Sequence, residues 1–202
     1  MWRYYSPAIP TNPFGQLEFH IRKVSGGWVS PPAIVSETNV GDRWVMSTPP
    51  LGGLEVDFTS DRDVLMIGSG TGIAPLRAQV MEMSQRAHNP RVHLFVGGRY
   101  PCDLYDLETL WHISLSNPWL TVVPVSEEPE NPWWHNGPVL EPPFGMHSRL
   151  IGPIGKVVAQ FGSWADRQVQ ISGGSPSMIK TTVYALRAGG TPLDQIRHDP
   201  LY

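Results

Sequence analysis

Apolar and polar positions along this chain follow different periods on either side of residue 61. Beyond it, Val64, Leu65, Met66 and Ile67 form an unbroken apolar run, the pattern of a short strand buried on both faces. Leu76, Val80, Met83 and Ala87 then recur at the helical period, as the sheet-facing side of a helix does. The alternation persists downstream: strands are predicted near 63–67, 92–97, 120–125, 168–172 and 195–198, and helices near 74–88, 104–112, 152–161 and 176–188. This order predicts a doubly wound α/β fold, a parallel sheet with helices on both faces and ligands beyond the carboxyl ends of its strands. The loops at those ends are 68–73, 97–103, 126–147 and 172–176. The third is long, carries Trp133, Trp134 and Phe144, and is a candidate lid.

Before residue 61 the helical period is missing. Leu17, Phe19 and Ile21 alternate with Glu18, His20 and Arg22, a half-buried strand pattern. Arg43 to Met46 reads as another strand behind the turn Val40-Gly41-Asp42, and a third is expected from Trp2 to Ser6. One short helix is expected, opening at Gly26 to Ser30 with Ala33 to Glu37 as its body. The segment 1–60 therefore reads as part of an antiparallel β-barrel, and 61–202 as the α/β domain. Three strands do not close a barrel, and an open edge seeks a partner. The expectation is that upstream strands are missing, through a misplaced coding start or a fragment, or that another chain completes the barrel.

Gly68, Gly70 and Gly72 alternate directly after the first buried strand, and Pro75 suits the first turn of the following helix. Glycine lets a backbone turn sharply and a ligand approach closely. A strand, a glycine loop and a helix N-terminus together suit a phosphate, because unpaired N–H groups and the helix dipole converge there. The same glycines equally suit a tight turn needed only for packing. Thr71 fits an ordinary N-cap, and Ser175 with Pro176 fits a cap with proline at the first helical position.

Composition narrows the function classes. Of 202 residues, 41% are hydrophobic and 16% charged, which suits a packed core. The formal net charge is −3, and neither a basic stripe for nucleic acid nor a basic amphipathic helix for a membrane surface stands out. No leader and no membrane span are expected. A single cysteine, Cys102, rules out an internal disulfide and suits a reducing cytoplasm. The seven histidines lack metal-ligand spacing, so no metal is expected; His135 and His147 read as surface residues of the long loop. No serine stands in a nucleophile elbow, and no axial haem ligand can be assigned.

Further motifs stand in order along the chain: Arg3-Tyr4-Tyr5-Ser6, Gly27-Trp28-Val29-Ser30, Gly70-Thr71-Gly72-Ile73-Ala74-Pro75, Leu94-Phe95-Val96-Gly97-Gly98-Arg99 with Asp103-Leu104-Tyr105, and Gly173-Gly174-Ser175-Pro176-Ser177-Met178. Together they resemble the ferredoxin-NADP reductase superfamily: its Arg-x-Tyr-Ser and Gly-x-x-Ser flavin motifs, its nicotinamide-side glycine loop, a further signature of the fold, and its Cys-Gly-x-Pro-x-Met motif. Within it the chain looks most like the reductase part of actinobacterial globin-coupled, flavohaemoglobin-like proteins.

The resemblance implies FAD on the barrel and NAD on the α/β domain. It places Arg3 on the FAD pyrophosphate, Tyr5 against the isoalloxazine or ribityl chain and Ser6 on the flavin N5 edge, with Tyr4, His20 and Arg22 beside them. Gly27, Trp28, Val29 and Ser30 would hold the pyrophosphate. Gly70, Thr71, Gly72, Ala74 and Pro75 would take the nicotinamide end; Gly98, Arg99, Gly173, Gly174, Ser175 and Met178 line the rest, and Tyr202 would cover the flavin. Ser6 and Thr71 stand nearest the chemistry. Similar enzymes that choose NADPH carry Ser-Arg where this chain has Ser126-Glu127; a carboxylate repels the 2′-phosphate and accepts from a ribose hydroxyl, so NADH is the expected cofactor. A solvated acidic turn is the plainer reading of Glu127. Gly173 replaces the family's cysteine. The implied activity is hydride transfer from NADH to FAD, with electrons passed to a globin, an oxygenase or a ferredoxin; the alternative is a truncated, flavin-free binding protein. The chain is expected to be cytoplasmic.

Overall fold

The computed structural model describes residues 4–23, 34–47, 52–139, 141–173 and 175–198. Its centre is β1 (Val64–Ser69), whose first five residues are all buried. The run is buried on both sides because neighbouring residues point to opposite faces. Val64 and Met66 join a core with α1 (Ile73–Met83) and α2 (Leu107–Ser116), while Leu65 and Ile67 join a second core with α3 (Ile154–Gln160) and α4 (Pro176–Ala188).

The remaining strands are β2 (Val92–Gly98), β3 (Leu120–Ser126), β4 (Leu150–Ile151), β5 (Gln168–Gly173) and β6 (Ile196–His198). All pairings are parallel, in the order β4-β3-β2-β1-β5-β6. The chain leaves β1 toward β2 on one side and leaves β5 toward β6 on the other. The winding thus reverses between the neighbours β1 and β5, and their carboxyl ends open a crevice. Register puts Ser69 of β1 beside Gly173 of β5 at its mouth.

Several elements differ from the sequence expectation. Helix α1 ends at Met83 and not at residue 88, leaving Ala87 exposed beyond it. Asn89 Nδ2 donates to the Met83 carbonyl at 2.8 Å and Ser84 Oγ to that of Met81 at 2.7 Å, so side chains take over the last carbonyls. Helix α2 begins at Leu107, because Pro101–Asp103 forms a 3₁₀ turn with the Asp103 carboxylate accepting from the Tyr100 N–H at 3.0 Å. The two-residue strand β4, which pairs with Val125 and Ser126, was not foreseen.

The expected strand at 2–6 lies partly outside the described residues, and those at 17–21 and 43–46 do not form ladders: among the described residues before Val64, strand pairing is limited to one antiparallel bridge, Pro7 with Phe19. A two-stranded pairing is marginal in water without further strands or a packed face. Leu17, Trp44, Val45 and Met46 are accordingly exposed. The expected helix at 26–37 falls mostly outside the described residues; within them, residues 34–36 make a single π-helical turn.

Candidate functional site

The three glycines of the first loop do three different jobs. At Gly68 a Cβ would press on the Ile73 and Leu76 methyls at 3.0 Å, so its absence lets α1 pack down on β1. Gly70 has φ +55°, the left-handed region, with open space around it. Gly72 has an ordinary helical backbone, but a Cβ there would lie 2.5 Å from the Ser172 carbonyl group and 2.6 Å from Gly173 Cα. The glycine loop is therefore pressed against the end of β5 by backbone-to-backbone approach.

Thr71 sits in the 3₁₀ turn Gly70–Gly72, and the N-cap of α1 is Gly72 with no side-chain cap, so the capping role open to Thr71 is not realised. Ala74 is buried and Pro75 occupies the first turn, where its missing N–H has no partner to lose. Across the crevice, α4 opens as the sequence suggested: Ser175 Oγ accepts from the Met178 N–H at 3.4 Å, and Pro176 follows at the first helical position. Ser175 Oγ also lies 2.6 Å from Ser177 Oγ. Gly173 and Met178 are complementary, since the Met178 methyl fills the place a Cβ at 173 would take.

At the ends of β2 and β3 the loops are stitched together. The Glu127 and Glu128 N–H groups donate to the Gly98 and Arg99 carbonyls at 3.0 and 2.8 Å. Arg99 is exposed, its guanidinium over the Tyr100 ring. Ser126 is fully buried; its Oγ donates to the Glu128 carbonyl at 2.7 Å and accepts from Arg149 Nη1 at 2.6 Å, and Arg149 Nη2 reaches the Pro129 carbonyl at 3.1 Å. Both carboxylates of this turn are exposed. The long loop is held by polar ties: Asn131 Oδ1 accepts from the Cys102 N–H at 2.9 Å and Trp111 Nε1 donates to the Phe144 carbonyl at 3.1 Å. Trp133 and Phe144 are 93% and 98% exposed, so they do not cover the crevice as a closed lid would. Burial pushes the Cys102 thiol up, which keeps it protonated.

Before residue 61, Tyr4 is exposed, Tyr5 and Ser6 are half-buried, and Tyr5 meets Phe19 edge-on. His20 and Arg22 face the α/β domain: His20 Nδ1 lies 2.7 Å from the Tyr105 hydroxyl, and Arg22 pairs with Asp103 at 3.4 Å. Sequence reasoning placed Tyr105 in a signature without assigning it this contact, and passed over Arg77 and Arg149; nothing in their spacing marks them. Arg3, Gly27, Trp28, Val29, Ser30, Gly174 and Tyr202 lie outside the described residues. Among the described residues, no three His, Cys, Asp or Glu side chains form a group able to hold a metal ion, and no helix is long and apolar enough to cross a membrane.

Comparison with known proteins agrees with this geometry. Residues 66–183 match the oxidoreductase NAD-binding domain family and residues 1–55 the oxidoreductase FAD-binding domain family. The chain is 28% identical over 197 residues to the reductase component of propane 2-monooxygenase from Rhodococcus jostii, covering 98% of this chain and 50% of that protein. It is 33% identical over 138 residues to the reductase subunit of an aromatic O-demethylase from Amycolatopsis, covering 67% of this chain and 41% of that protein. The ferredoxin reductase in carbazole 1,9a-dioxygenase superposes with a TM-score of 0.71 at 28% identity, covering 98% of this chain and 55% of that one. The chain thus spans about half the length of the curated relatives it matches. A six-stranded parallel sheet with a glycine loop at its winding reversal, and family matches running from residue 1 to 183, establish that the chain belongs to the ferredoxin reductase-like oxidoreductases, with their paired FAD- and NAD-binding domains.

Proposed function

We propose that this chain is the cofactor-binding core of an NAD(P)H-dependent flavin reductase that serves an oxygenase or a related electron acceptor. The reading rests on one observation above others: the glycine loop after β1 meets the end of β5 at the point where the sheet reverses its winding. Residues 1–60 form the FAD side and 61–202 the NAD side. FAD, when bound, accepts hydride from the nicotinamide and releases electrons to the acceptor.

The residues present fit a dinucleotide. Open space at Gly70 leaves a cradle for the nicotinamide end, bordered by Thr71, Gly72, Ala74 and Pro75 on one side and Gly173, Ser175 and Met178 on the other. The N-terminal end of α4, with its helix dipole and the Ser175 and Ser177 hydroxyls beside it, suits a pyrophosphate. Gly98, Arg99 and Glu127 border the adenosine end. Tyr4, Tyr5 and Ser6 flank the isoalloxazine, with Thr71 opposite; Arg3, Gly27 to Ser30, Gly174 and Tyr202 complete the two cofactor sites by resemblance. The side chains of His20 and Arg22 serve the junction between the two parts.

NADH is the preferred donor. Glu127 and Glu128 repel a 2′-phosphate, and the guanidinium of Arg149 is engaged by Ser126 and Pro129. The expected preference in kcat/KM is at least about tenfold for NADH over NADPH, a difference of roughly 1.4 kcal/mol. Comparable values for the two donors sink that preference. A second reading, a nucleotide-binding protein without flavin, is favoured by the single Pro7–Phe19 bridge among the described residues before Val64. An anaerobic visible spectrum decides between them: flavin bands that persist through desalting and bleach with NADH support the reductase, and a protein left colourless after FAD is added supports the second.

A further inference from the structure

One charged side chain joins the two parts of the molecule. Arg77 stands on α1, the helix that begins directly after the turn carrying Thr71, and its side chain is 11% exposed. Its Nη1 donates to the Ala8 carbonyl at 2.7 Å and to Glu18 Oε1 at 2.9 Å. Ala8 and Glu18 lie on the two limbs of the Pro7–Phe19 bridge, and the Ala8 N–H closes that pair on the Glu18 carbonyl at 2.8 Å. Arg77 therefore grips both limbs at once. On its other edge, Nε lies 3.0 Å from Asp106 Oδ2, with the N–H off that line, so this contact is an ion pair more than a hydrogen bond. Asp106 is itself only 12% exposed.

A second set of contacts holds the limb that carries Phe19. Burial, with Asp106 beside it, pushes the Tyr105 phenol well above its ordinary range, so its hydroxyl keeps its proton. When His20 is neutral, that O–H donates to Nδ1 at 2.7 Å, which puts the imidazole hydrogen on Nε2, facing Glu18 Oε1 at 2.9 Å. Glu18 thus accepts from His20 and from Arg77, and both hold its carboxyl below the ordinary carboxylate range.

We infer that Arg77 is a positioning residue for hydride transfer: by clamping the bridge that begins one residue after Ser6 onto the helix that begins two residues after Thr71, it sets the distance between flavin and nicotinamide. The inference rests on the proposed function. Arg77 touches neither cofactor; it acts through the two segments that border them. Its planar fork suits the task, since opposite edges reach Ala8 and Asp106 together, which a lysine ammonium does not.

The test uses the full 202-residue chain loaded with FAD, as wild type, Arg77→Gln and Arg77→Lys. Stopped-flow bleaching by NADH under nitrogen separates the limiting rate from the apparent Kd, and the long-wavelength charge-transfer absorbance reports ring stacking. Hydrogen exchange follows the Ala8 amide against those of β1. For Arg77→Gln we expect a limiting rate at least tenfold lower, a weaker charge-transfer band, an NADH Kd within threefold of wild type and unchanged flavin content. Ala8 exchange should rise at least tenfold with β1 protection unchanged, and Arg77→Lys should recover part of the rate. A limiting rate within twofold of wild type overturns the inference. So does loss of β1 protection together with the rate, which marks a merely structural residue. A wild-type protein that takes no FAD or is not bleached by NADH overturns the proposed function and the positioning role with it; the exchange data then still report whether Arg77 joins the two segments.

Discussion

At the scale of single residues, the glycine loop separates effects that look alike on paper. Gly70 needs its left-handed backbone and Gly72 needs the absence of a Cβ. Gly70→Ala should cost about 1–2 kcal/mol, the strain of an L-residue in that region. Gly72→Ala should cost about 3 kcal/mol, because the added methyl meets the backbone of Ser172 and Gly173, which cannot step aside. Gly173→Ala should be mild by comparison, as the atom in the way is the end of a flexible methionine. Chemical denaturation of the three variants ranks them; a Gly173 variant worse than the Gly72 one refutes the steric account. His93 makes a pH prediction. Burial, aided by Arg167, lowers its pKa, so the folded state holds it neutral and the unfolded state takes the proton first. Stability should therefore fall as pH drops through about 6.5, the unfolded histidine value. His93→Gln should flatten that part of the melting-temperature curve between about pH 7.5 and 5.

Elements are held as much by single polar anchors as by their own patterns. The stretch after β3 exposes its aromatics and depends on Arg149, which ties the buried Ser126 hydroxyl to the Pro129 carbonyl. Arg149→Ala should loosen this stretch locally by roughly 1.5–3 kcal/mol, the worth of hydrogen bonds to a charged group. Limited proteolysis should then cut between residues 127 and 149 faster than in wild type, while β1 keeps its amide protection; an unchanged cleavage rate there refutes the anchor. The same dependence explains why element ends were misread. Periodicity carried α1 to residue 88, but Ser84 and Asn89 captured its last carbonyls. It could not find β4, whose two residues pair with β3 and carry no pattern of their own. Before residue 61 it marked alternating segments correctly as apolar and polar, yet alternation specifies a face and not a partner, and among the described residues one bridge is all that forms.

For the molecule as a whole, the junction between the two cofactor sides is a matter of charge. Arg77 meets Glu18 and Asp106, and Arg22 meets Asp103. Glu18 has its carboxyl pKa depressed, chiefly by the hydrogen bond from His20, so its contribution is present above the ordinary carboxylate range and is lost as pH falls through its lowered value. Glu18 is nearly half exposed, and solvent screens much of this contribution. Protection of the Ala8 amide, taken relative to the intrinsic exchange rate at each pH, should thus fall under acid conditions before that of the central sheet does, and Glu18→Gln should remove that step. The chain by itself determined the doubly wound domain and the place of its crevice, because continuous apolar runs, glycine loops and helical periods are local properties of the sequence. It also carried the motifs whose order resembles the family that the chain belongs to. Tertiary structure alone decided that Gly72 abuts the end of β5, that Met178 fills the space beside Gly173, and that Arg77 reaches back to Ala8 and Glu18. These contacts join residues distant in the chain, and only the folded backbone brings such groups within a few ångströms.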